Sequence, residues 1–399
     1  MSVPLVIFHP MDPRGAKVGG AEIFVRGLIR HAPADFDVEL VGISASGPAR
    51  GDMRLTEGNT PFRFQPLARV ADENRKELVP LSLRYVAALW PLHRRFAHQV
   101  LFFNRIEPLL AFRRHANPKL VALHNDVRRQ IDSGPGEVLW SRFPRLYFAM
   151  ENRCLPTADL VLSESRATVD DCRRRFPALR DRIELFPTWF DPELFSPSSD
   201  TRADEKQRLA RQHPGLRANG DWILYTGRFQ AQKAPIRMLE AFALVHRQRS
   251  NAMLVLSGEG NLKPEMLRKA EELGLRNHVA FLDSVPRTGL PPFYRAADAF
   301  LLASDYEGMP ISILEALACG LPVASTPVGE VPALVIPGTT GEIAANCSAE
   351  ALAGALDRIL SHRGTYFSAA CAKSVRAFTP GAVLQPLYGR IRSLAGKMR

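Results

Sequence analysis

The chain has 399 residues, of which 46% are hydrophobic and 23% charged, and its formal net charge is +11. This length and apolar content exclude a mostly disordered chain and predict two or three domains. Arginine supplies 43 of the 52 basic residues. This excess favours an anionic partner, which could be a phosphorylated substrate, an anionic membrane or nucleic acid. The alternative is that the arginines are only solvent-exposed surface residues without a partner.

Several classes of protein are disfavoured by what the sequence lacks. No stretch approaches the roughly 20 apolar residues of a membrane span, and the N-terminus resembles a first strand more than a signal peptide. The five cysteines are widely spaced and form no C-x-x-C, which argues against a disulfide framework and a zinc site. A reducing cytoplasm is the expected compartment.

Strands and helices alternate along the first half of the chain, which predicts a parallel sheet covered on both faces. A kink is expected at Pro91, inside a predicted helix. The predicted elements are strands at 5–9, 38–43, 100–104, 120–123, 159–163 and 183–187, and helices at 21–31 and 81–98.

Residues 191–220 change in character, and their content of Pro, Ser and Asp predicts a linker near residue 195. The second half then alternates again. Its predicted elements are strands at 222–226, 253–257, 279–282, 299–303 and 322–325, and helices at 235–248, 262–273, 310–318, 349–360 and 366–399, the last broken at Pro380-Gly381. We therefore predict an α/β protein with domains at residues 1–195 and 196–380 and a ligand site in the cleft between them.

The most specific motif is SDYEGMPISILEA at residues 304–316. It predicts a strand end, a turn and a helix with Pro310 at its first position, where free N–H groups favour an anion such as phosphate. Glu307 precedes the helix and Glu315 lies inside it, so the two carboxylates are placed to grip hydroxyls of one ligand. The alternative is two ordinary surface charges.

Two further loops follow predicted strands. Arg228 and Lys233 bracket a loop that leads into a helix at Pro235, which predicts a diphosphate clamp, although two surface charges would look the same. Gly19 and Gly20 permit close approach of backbone to a phosphate or a sugar, or they form a tight turn. A dinucleotide fingerprint, G-x-G-x-x-G, is absent.

Taken in order, these residues resemble the GT-B glycosyltransferases of family 4, the retaining group 1 enzymes. Gly19–Glu22 looks like the first glycine loop of that family, and His124 is similar to its histidine after a mid-domain strand. Gly227-Arg228 with Lys233 matches its G-R-x4-K clamp.

Glu307 and Glu315 match the Glu-x7-Glu motif of the same family, including Gly308 and Pro310. Thr188-Trp189 departs from the family, which usually has Asn-Gly there, so no donor contact is carried over to that turn.

The resemblance implies two Rossmann-like domains facing across a cleft, with a C-terminal helix at 381–399 packed on the first domain. It implies a nucleotide-sugar donor, UDP- or GDP-linked, bound mainly by residues 196–380, and retention of configuration without a metal. The donor-binding residues it implies are Gly19, Gly20, Arg228, Lys233, Glu307, Gly308, Met309, Pro310, Ile311 and Glu315. The catalytic residues it implies are Glu307, His124, Arg228 and Lys233.

Asp35-Phe36-Asp37 spells the D-x-D of metal-dependent glycosyl transfer. It precedes the second predicted strand, away from the expected cleft, and we interpret it as a surface turn because a metal site needs converging ligands.

A basic region lies in the first domain, which is expected to bind the acceptor. Between residues 84 and 129, nine Lys or Arg oppose only two acidic residues, with aromatic side chains interleaved. We expect this region, represented by Arg94, Arg95, Arg113 and Arg114, to contact anionic lipid headgroups at the inner face of the cell membrane or a lipid-diphosphate acceptor. The alternative is that its aromatics are core and its arginines a solvated face.

The leading interpretation is a retaining glycosyltransferase that acts on a glycan or lipid-linked acceptor in surface polysaccharide, lipopolysaccharide or glycolipid assembly. A nucleotide-sugar epimerase or a phosphorylase would keep the fold and change the reaction. A non-catalytic sugar-nucleotide binding protein is the third interpretation. No nucleic-acid-binding module is recognised, so nucleic acid is not an expected partner.

Overall fold

Two parallel sheets organise the chain, each built from apolar strands that are buried because helices cover both faces. The structure is a computed structural model that describes residues 2–15, 19–45, 51–70, 81–124, 143–282, 284–366 and 368–398. The described chain forms two compact units, residues 1–187 with 380–399 and residues 188–379. We predicted the change of domain near residue 195, whereas the chain leaves the first unit after Pro187 and returns to it at Pro380.

The first unit contains an eight-stranded sheet with the order β3-β4-β2-β1-β5-β6-β7-β8. Its strands are β1 (Val3–Phe8), β2 (Phe36–Ser44), β3 (Met53–Glu57), β4 (Thr60–Arg69), β5 (Val100–Phe103), β6 (Lys119–Leu123), β7 (Leu160–Ser163) and β8 (Ile183–Leu185). Its helices before residue 187 are α1 (Gly20–Arg30), α2 (Leu81–Leu89), α3 (Leu109–Phe112), α4 (Pro144–Cys154) and α5 (Arg166–Arg175).

Strands β3 and β4 were not predicted. They form an antiparallel hairpin at the edge of the otherwise parallel sheet, and Gly58, with a φ of +61°, lies in its turn. The segment predicted to be helical over 81–98 with a kink at Pro91 is helical from Leu81 to Phe96, and the helix type changes at that proline. The α-helix ends at Leu89 and residues Trp90–Phe96 continue as a 3-10 helix, because Pro91 has no N–H to continue the α-helical ladder.

The second unit contains a six-stranded parallel sheet with the order β11-β10-β9-β12-β13-β14. Its strands are β9 (Trp222–Thr226), β10 (Met253–Ser257), β11 (Val279–Leu282), β12 (Ala299–Leu302), β13 (Val323–Ser325) and β14 (Gly341–Ile343). Its helices are α6 (Arg202–Gln212), α7 (Pro235–His246), α8 (Lys263–Glu272), α9 (Pro291–Ala296), α10 (Ile311–Ala318), α11 (Val331–Leu334), α12 (Ala349–Ser361) and α13 (Ser368–Ser374).

The segment predicted as a linker is part of the second unit. Helix α6 begins in a capping box, in which the side chains of Thr201 and Asp204 exchange hydrogen bonds with each other's backbone N–H. Lys206 on that helix contacts Asp298 at 2.6 Å, and both side chains are buried. Pro, Ser and Asp are therefore frequent here because they cap and turn the chain, not because they form a flexible connection.

The last helix, α14 (Pro380–Gly396), belongs to the first unit. Its Tyr388 hydroxyl donates to the Leu28 carbonyl, and Arg392 holds both carboxylate oxygens of Asp35 at 2.7 Å. The expectation that the C-terminal helix packs on the N-terminal domain is thereby confirmed. Both carboxylate oxygens of Asp35 are engaged by Arg392. Asp37, the second residue of β2, contacts Arg63 at 3.1 Å.

Candidate functional site

Two loops meet at the carboxyl-terminal edge of the second sheet, one after β9 and one after β12. The Asp305 N–H donates to the Gln232 carbonyl at 2.9 Å, and the Gln232 side chain donates to the Tyr306 carbonyl at 3.0 Å. Arg237, in the first turns of α7, contacts Asp305 at 2.6 Å. These bonds join the two strongest sequence motifs into one site, because β9 and β12 are adjacent parallel strands.

Lys233 and Glu307 face each other in this site. The Lys233 Nζ lies 2.5 Å from Glu307 Oε1, and the Ser304 hydroxyl donates to the same oxygen at 2.6 Å. Both side chains are largely covered but not sealed, with exposed fractions of 19% and 7%. An anion that binds here therefore competes with Glu307 for the Lys233 ammonium.

The backbone from Glu307 to Met309 is fixed through its carbonyl groups. Glu330 N–H donates to the Gly308 carbonyl at 3.0 Å, and the buried Thr188 hydroxyl donates to the Met309 carbonyl at 3.3 Å. Gly329 lies against this backbone with a φ of +52°, and a Cβ there would come within 2.3 Å of the Glu307 carbonyl oxygen. Only glycine fits this approach.

The N–H groups of Glu307, Gly308 and Met309 have no acceptor among the residues that the structure describes. They immediately precede α10, whose first residue is Ile311; Pro310 is its N-cap and not its first helical residue as predicted. Unpaired N–H groups at a helix start favour oxyanions and hydroxyl oxygens.

Glu315 is placed differently from Glu307, although the same motif contains both. It is 5% exposed. Its Oε1 accepts a hydrogen bond from Arg287 Nε at 2.9 Å and lies 2.8 Å from Nη2 of the same guanidinium as an ion pair. Its Oε2 accepts a hydrogen bond from the Tyr294 hydroxyl at 3.1 Å. Burial raises the pKa of the Glu315 carboxyl, and the Arg287 charge opposes that rise. Each carboxylate oxygen can accept two hydrogen bonds, so Oε2 retains capacity for a ligand hydroxyl.

Arg228 is exposed, and its guanidinium has no hydrogen bond or ion pair within the described ranges. Its carbonyl is fixed by the Tyr225 hydroxyl at 3.0 Å, and the preceding Gly227 has a φ of +150°. The side chain is thus an available cation on an ordered backbone.

In the first unit, Gly19 is the N-cap of α1, and Gly20 is its first residue. A Cβ at Gly20 would meet no described atom within 4 Å, whereas one at Gly19 would lie 2.4 Å from Glu22 Oε2. The backbone is therefore open at Gly20.

His124 follows β6 and belongs to a buried hydrogen-bond network. Its Nδ1 lies 2.7 Å from Glu164 Oε1 after β7, and its Nε2 lies 2.6 Å from Asn104 Oδ1 after β5. Asn104 Nδ2 in turn lies 3.2 Å from Nδ1 of His9, which follows β1. The sequence alone did not indicate these partners of His124.

The structure brings most predicted site residues into two groups, one in each unit. The second-unit group comprises Arg228, Lys233, Glu307, Gly308, Met309, Pro310, Ile311 and Glu315. The first-unit residues Gly19 and Gly20 lie at the start of α1, and His124 at the end of β6. The cleft predicted between the two domains stays a prediction.

Sequence reasoning missed several polar residues that hold the predicted ones. Their common signal is position: each lies in or just after a loop that follows a parallel strand, or in a helix that packs against one. They are Asn104, Glu164, Thr188, Arg287, Tyr294 and Ser304.

The basic region of the first unit is exposed at Arg94, Arg113 and Arg114, for which the described part of the chain offers no ion-pair partner. Arg95 differs, since it contacts Asp52 at 2.8 Å and Glu39 at 3.5 Å. Arg128 and Arg129, which contribute to the sequence excess of charge, lie outside the described residues.

The described residues contain neither a metal-binding cluster nor a membrane-spanning helix. No group of three or more His, Cys, Asp or Glu is arranged to hold a metal ion. None of the helices combines the length and the apolar character that crossing a bilayer requires.

Family models match both halves of the chain. The model for glycosyl transferases group 1 matches residues 206–376, and the model for glycosyltransferase family 4 matches residues 18–194. The D-inositol 3-phosphate glycosyltransferase of Corynebacterium glutamicum is 31% identical over 252 residues, which are 62% of this chain and 57% of the relative. A GDP-mannose-dependent alpha-(1-6)-phosphatidylinositol monomannoside mannosyltransferase of Mycolicibacterium smegmatis is 29% identical over 246 residues, 59% of this chain and 62% of the relative. The chain spans about half the length of the curated relatives it matches.

Solved structures share the fold over nearly the whole chain. Sucrose-phosphate synthase from Thermosynechococcus elongatus has a TM-score of 0.80 at 23% identity, covering 99% of this chain and 100% of that one. HepE of Anabaena, in complex with UDP and glucose, has a TM-score of 0.72 at 18% identity, with 98% and 99% covered. The expected architecture of two Rossmann-like domains is confirmed.

Proposed function

Because the chain belongs to the group 1 glycosyltransferases of family 4, we propose that it transfers a hexose from a nucleotide-diphosphate sugar to a glycan or lipid-linked acceptor. The observation that supports this most directly is the second-unit site, where two cations, unpaired N–H groups and two carboxylates lie together. A nucleotide sugar carries the complementary groups, a diphosphate flanked by the hydroxyls of ribose and hexose.

The diphosphate is assigned to Arg228 and Lys233. The Arg228 guanidinium has no partner among the described residues, and Lys233 exchanges Glu307 for phosphate when the donor binds. Cleavage of the glycosyl–phosphate bond leaves negative charge on the departing diphosphate, and fixed cations stabilise that charge in the transition state. We propose that these groups suffice without a metal, and that activity persists in excess EDTA.

The two carboxylates are assigned to hydroxyl groups. Glu307, with the N–H groups of Gly308 and Met309, is placed to hold hydroxyls of the hexose, and Glu315 Oε2 to hold the ribose. When Lys233 moves to the phosphate, Glu307 Oε1 becomes free to accept from a sugar hydroxyl. This exchange couples donor binding to formation of the sugar site. Retention of configuration is proposed from the family.

The acceptor is proposed to be a phosphorylated or lipid-linked polyol. The names of two relatives specify D-inositol 3-phosphate and a phosphatidylinositol monomannoside. Both acceptors join a hydroxyl-rich ring to a phosphate. Such a product belongs in glycolipid, lipopolysaccharide or surface polysaccharide assembly.

We further propose that the basic region of the first unit contacts an anionic membrane. Trp90 and Leu83 are exposed by 55% and 41%, and they lie seven positions apart along α2 and its 3-10 continuation. The His93 ring is 6.4 Å from the Trp90 ring and 4.9 Å from the ring of His115, the residue that follows the exposed Arg113 and Arg114 in the chain. Exposed apolar side chains bordered by arginine are typical of membrane-surface contacts.

The enzymatic proposal is tested by following nucleotide release from UDP-glucose and GDP-mannose, with D-inositol 3-phosphate as acceptor. Lys233→Met and Glu307→Gln are expected to lower the rate by about 100-fold or more, since each removes a charged hydrogen bond at the reacting group. Lys269→Met removes a lysine whose ion pairs are exposed, and it controls for the loss of charge.

Wild-type rates in both site variants would refute the assignment. Donor conversion that requires no acceptor and forms no glycoside would indicate an epimerase, and a visible pyridoxal absorbance would indicate a phosphorylase.

The membrane proposal is tested by flotation with vesicles that contain phosphatidylglycerol, compared with vesicles of phosphatidylcholine alone. Binding only to the anionic vesicles, weakened by salt and lost in Arg113→Glu/Arg114→Glu, is expected. Arg247→Glu, an exposed arginine of the second unit, is the matched control. Absence of flotation by the wild type would contradict the proposal.

A further inference from the structure

Four neighbouring parallel strands of the first sheet, β1, β5, β6 and β7, are each followed by a polar side chain. The four are His9, Asn104, His124 and Glu164, and their contacts of 3.2, 2.6 and 2.7 Å join them in sheet order. Parallel strands end at one edge, so this network lies where ligands bind in α/β sheets. Its hydrogen positions follow from its geometry.

The orientation of the Asn104 amide is fixed by two neighbours. Its Nδ2 faces the Ala21 carbonyl at 3.4 Å and His9 Nδ1 at 3.2 Å. A carbonyl oxygen accepts and cannot donate, so the amide nitrogen must be on this side. Asn104 Oδ1 therefore faces His124, and it accepts a hydrogen bond from His124 Nε2.

The second ring nitrogen of His124 is also engaged. Its Nδ1 lies 2.7 Å from Glu164 Oε1. Both ring nitrogens therefore have partners inside the network, and the polar atoms of His124 hold Asn104 and Glu164 in place.

One carboxylate oxygen of Glu164 is available to a ligand. Its Oε1 is engaged by His124, its Oε2 has no partner among the described residues, and its side chain is 13% exposed. This oxygen is accessible at the edge of the sheet, and it can accept a hydrogen bond from an O–H group of a ligand.

The network is incomplete at its other end too. His9 is 3% exposed, and burial lowers the pKa of its ring, so the ring is neutral. Its Nδ1 accepts a hydrogen bond from Asn104, and the single ring proton is therefore on Nε2. The His9 Nε2 atom is buried and has no hydrogen-bond partner among the described residues. It lies 3.8 Å from Glu22 Oε1. An orphaned N–H beside a carboxylate is the pattern that a bridging hydroxyl completes.

We propose that Glu164 is the side chain of the first unit that receives a hydroxyl group of the polyol acceptor, and that His124 is a positioning residue that holds the Glu164 carboxylate. This inference rests on the proposed function for the identity of the ligand. The contacts within the network, on which it also depends, do not rest on that function.

The contact between His124 and Glu164 is tested by nitrogen NMR of the protein labelled in its histidine rings. The Nδ1 signal of His124 should shift between the wild type and Glu164→Gln, because that substitution replaces the carboxylate that Nδ1 contacts. Glu184→Gln, which changes an exposed glutamate of the same unit, should leave the signal unchanged. An unchanged Nδ1 signal in Glu164→Gln would overturn the inference, whatever the enzyme's substrate.

The contact with the acceptor is tested by transfer to D-inositol 3-phosphate. Glu164→Gln should raise the KM for that acceptor by about 10-fold or more, as expected for a lost charged hydrogen bond, without changing the affinity for UDP-glucose or GDP-mannose. His124→Gln should act in the same direction, and the double variant should be no worse than Glu164→Gln alone. Loss of transfer in His124→Gln together with wild-type kinetics in Glu164→Gln would overturn the inference that Glu164 contacts the acceptor. Failure of the wild type to bind or cleave either donor would refute the proposed function instead.

Discussion

At the scale of single residues, the two glutamates of the Glu-x7-Glu motif are held by different partners. Glu307 shares one oxygen with Lys233 and Ser304 near the surface, so its partners can exchange. Glu315 is buried beside Arg287, whose guanidinium also lies 5.2 Å from the Phe195 ring. Burial raises the pKa of Glu315, and the Arg287 charge limits that rise.

Replacement of Arg287 by Met should destabilise the second unit by about 3 kcal/mol at neutral pH, because Glu315 would keep a buried charge without its cation. Without Arg287 the folded-state pKa of Glu315 rises further above its unfolded value. The decrease in the free energy of unfolding should therefore be small at low pH, where Glu315 is protonated with or without Arg287. It should grow as the pH rises through the folded-state pKa of Glu315. Urea unfolding at several pH values measures it.

Arg276→Met is the matched control, since this arginine is highly exposed. If Arg287→Met left the free energy of unfolding unchanged, or lowered it equally at every pH, Arg287 would not stabilise the Glu315 carboxylate.

At the scale of elements, the loop before α7 contains a backbone conformation that its residue disfavours. Ala234, the N-cap of α7, has a φ of +44° and a ψ of +53°, which is the left-handed region. This conformation costs an alanine about 1 kcal/mol, and it directs Lys233 toward Glu307 immediately before Pro235.

Ala234→Gly should stabilise the second unit by up to about 1 kcal/mol, because relief of this strain exceeds the added entropy of the unfolded glycine. Ala231→Gly, three residues earlier in an ordinary 3-10 turn, should destabilise by about 0.5 kcal/mol. Chemical unfolding compares the two. Destabilisation by both substitutions to the same extent would contradict the strain at Ala234.

The elements also show what the sequence can predict. Continuous apolar runs such as Leu254–Leu256 identify buried parallel strands, and the turn chemistry of Gly308 and Pro310 locates the helix after β12. The hairpin β3–β4 was missed because its alternating side chains resemble a polar loop. The partners of His124 were missed because Asn104 and Glu164 come together only through sheet order, which the spacing along the chain does not contain.

At the scale of the whole molecule, one buried and three partly buried histidines link stability to pH. Burial lowers the pKa of four histidines, His9, His115, His246 and His278, below the ordinary value of about 6.5. A lowered pKa stabilises the folded protein above the unfolded value, and this contribution is lost as the pH falls through the folded value. Two of the four, His246 and His278, lie close together, with ring centroids 3.9 Å apart.

The free energy of unfolding should therefore fall as the pH is lowered from about 7 toward 5. His278→Gln should reduce this slope, because it removes one of the groups that takes up a proton on unfolding. Urea titrations across this range measure the effect. A stability that rises on acidification would show that these rings are charged in the folded protein.

The central claim is that Arg228 and Lys233 bind the diphosphate of a nucleotide sugar, and calorimetric titration with UDP and GDP tests it most directly. The account predicts that one of the two nucleotides binds the wild type, and that Arg228→Met weakens this binding by about 10-fold or more through loss of a charged contact. Arg247→Met, which removes an exposed arginine at the opposite end of α7, should bind like the wild type. Equal affinity in all three proteins, or no binding of either nucleotide by the wild type, would contradict the account.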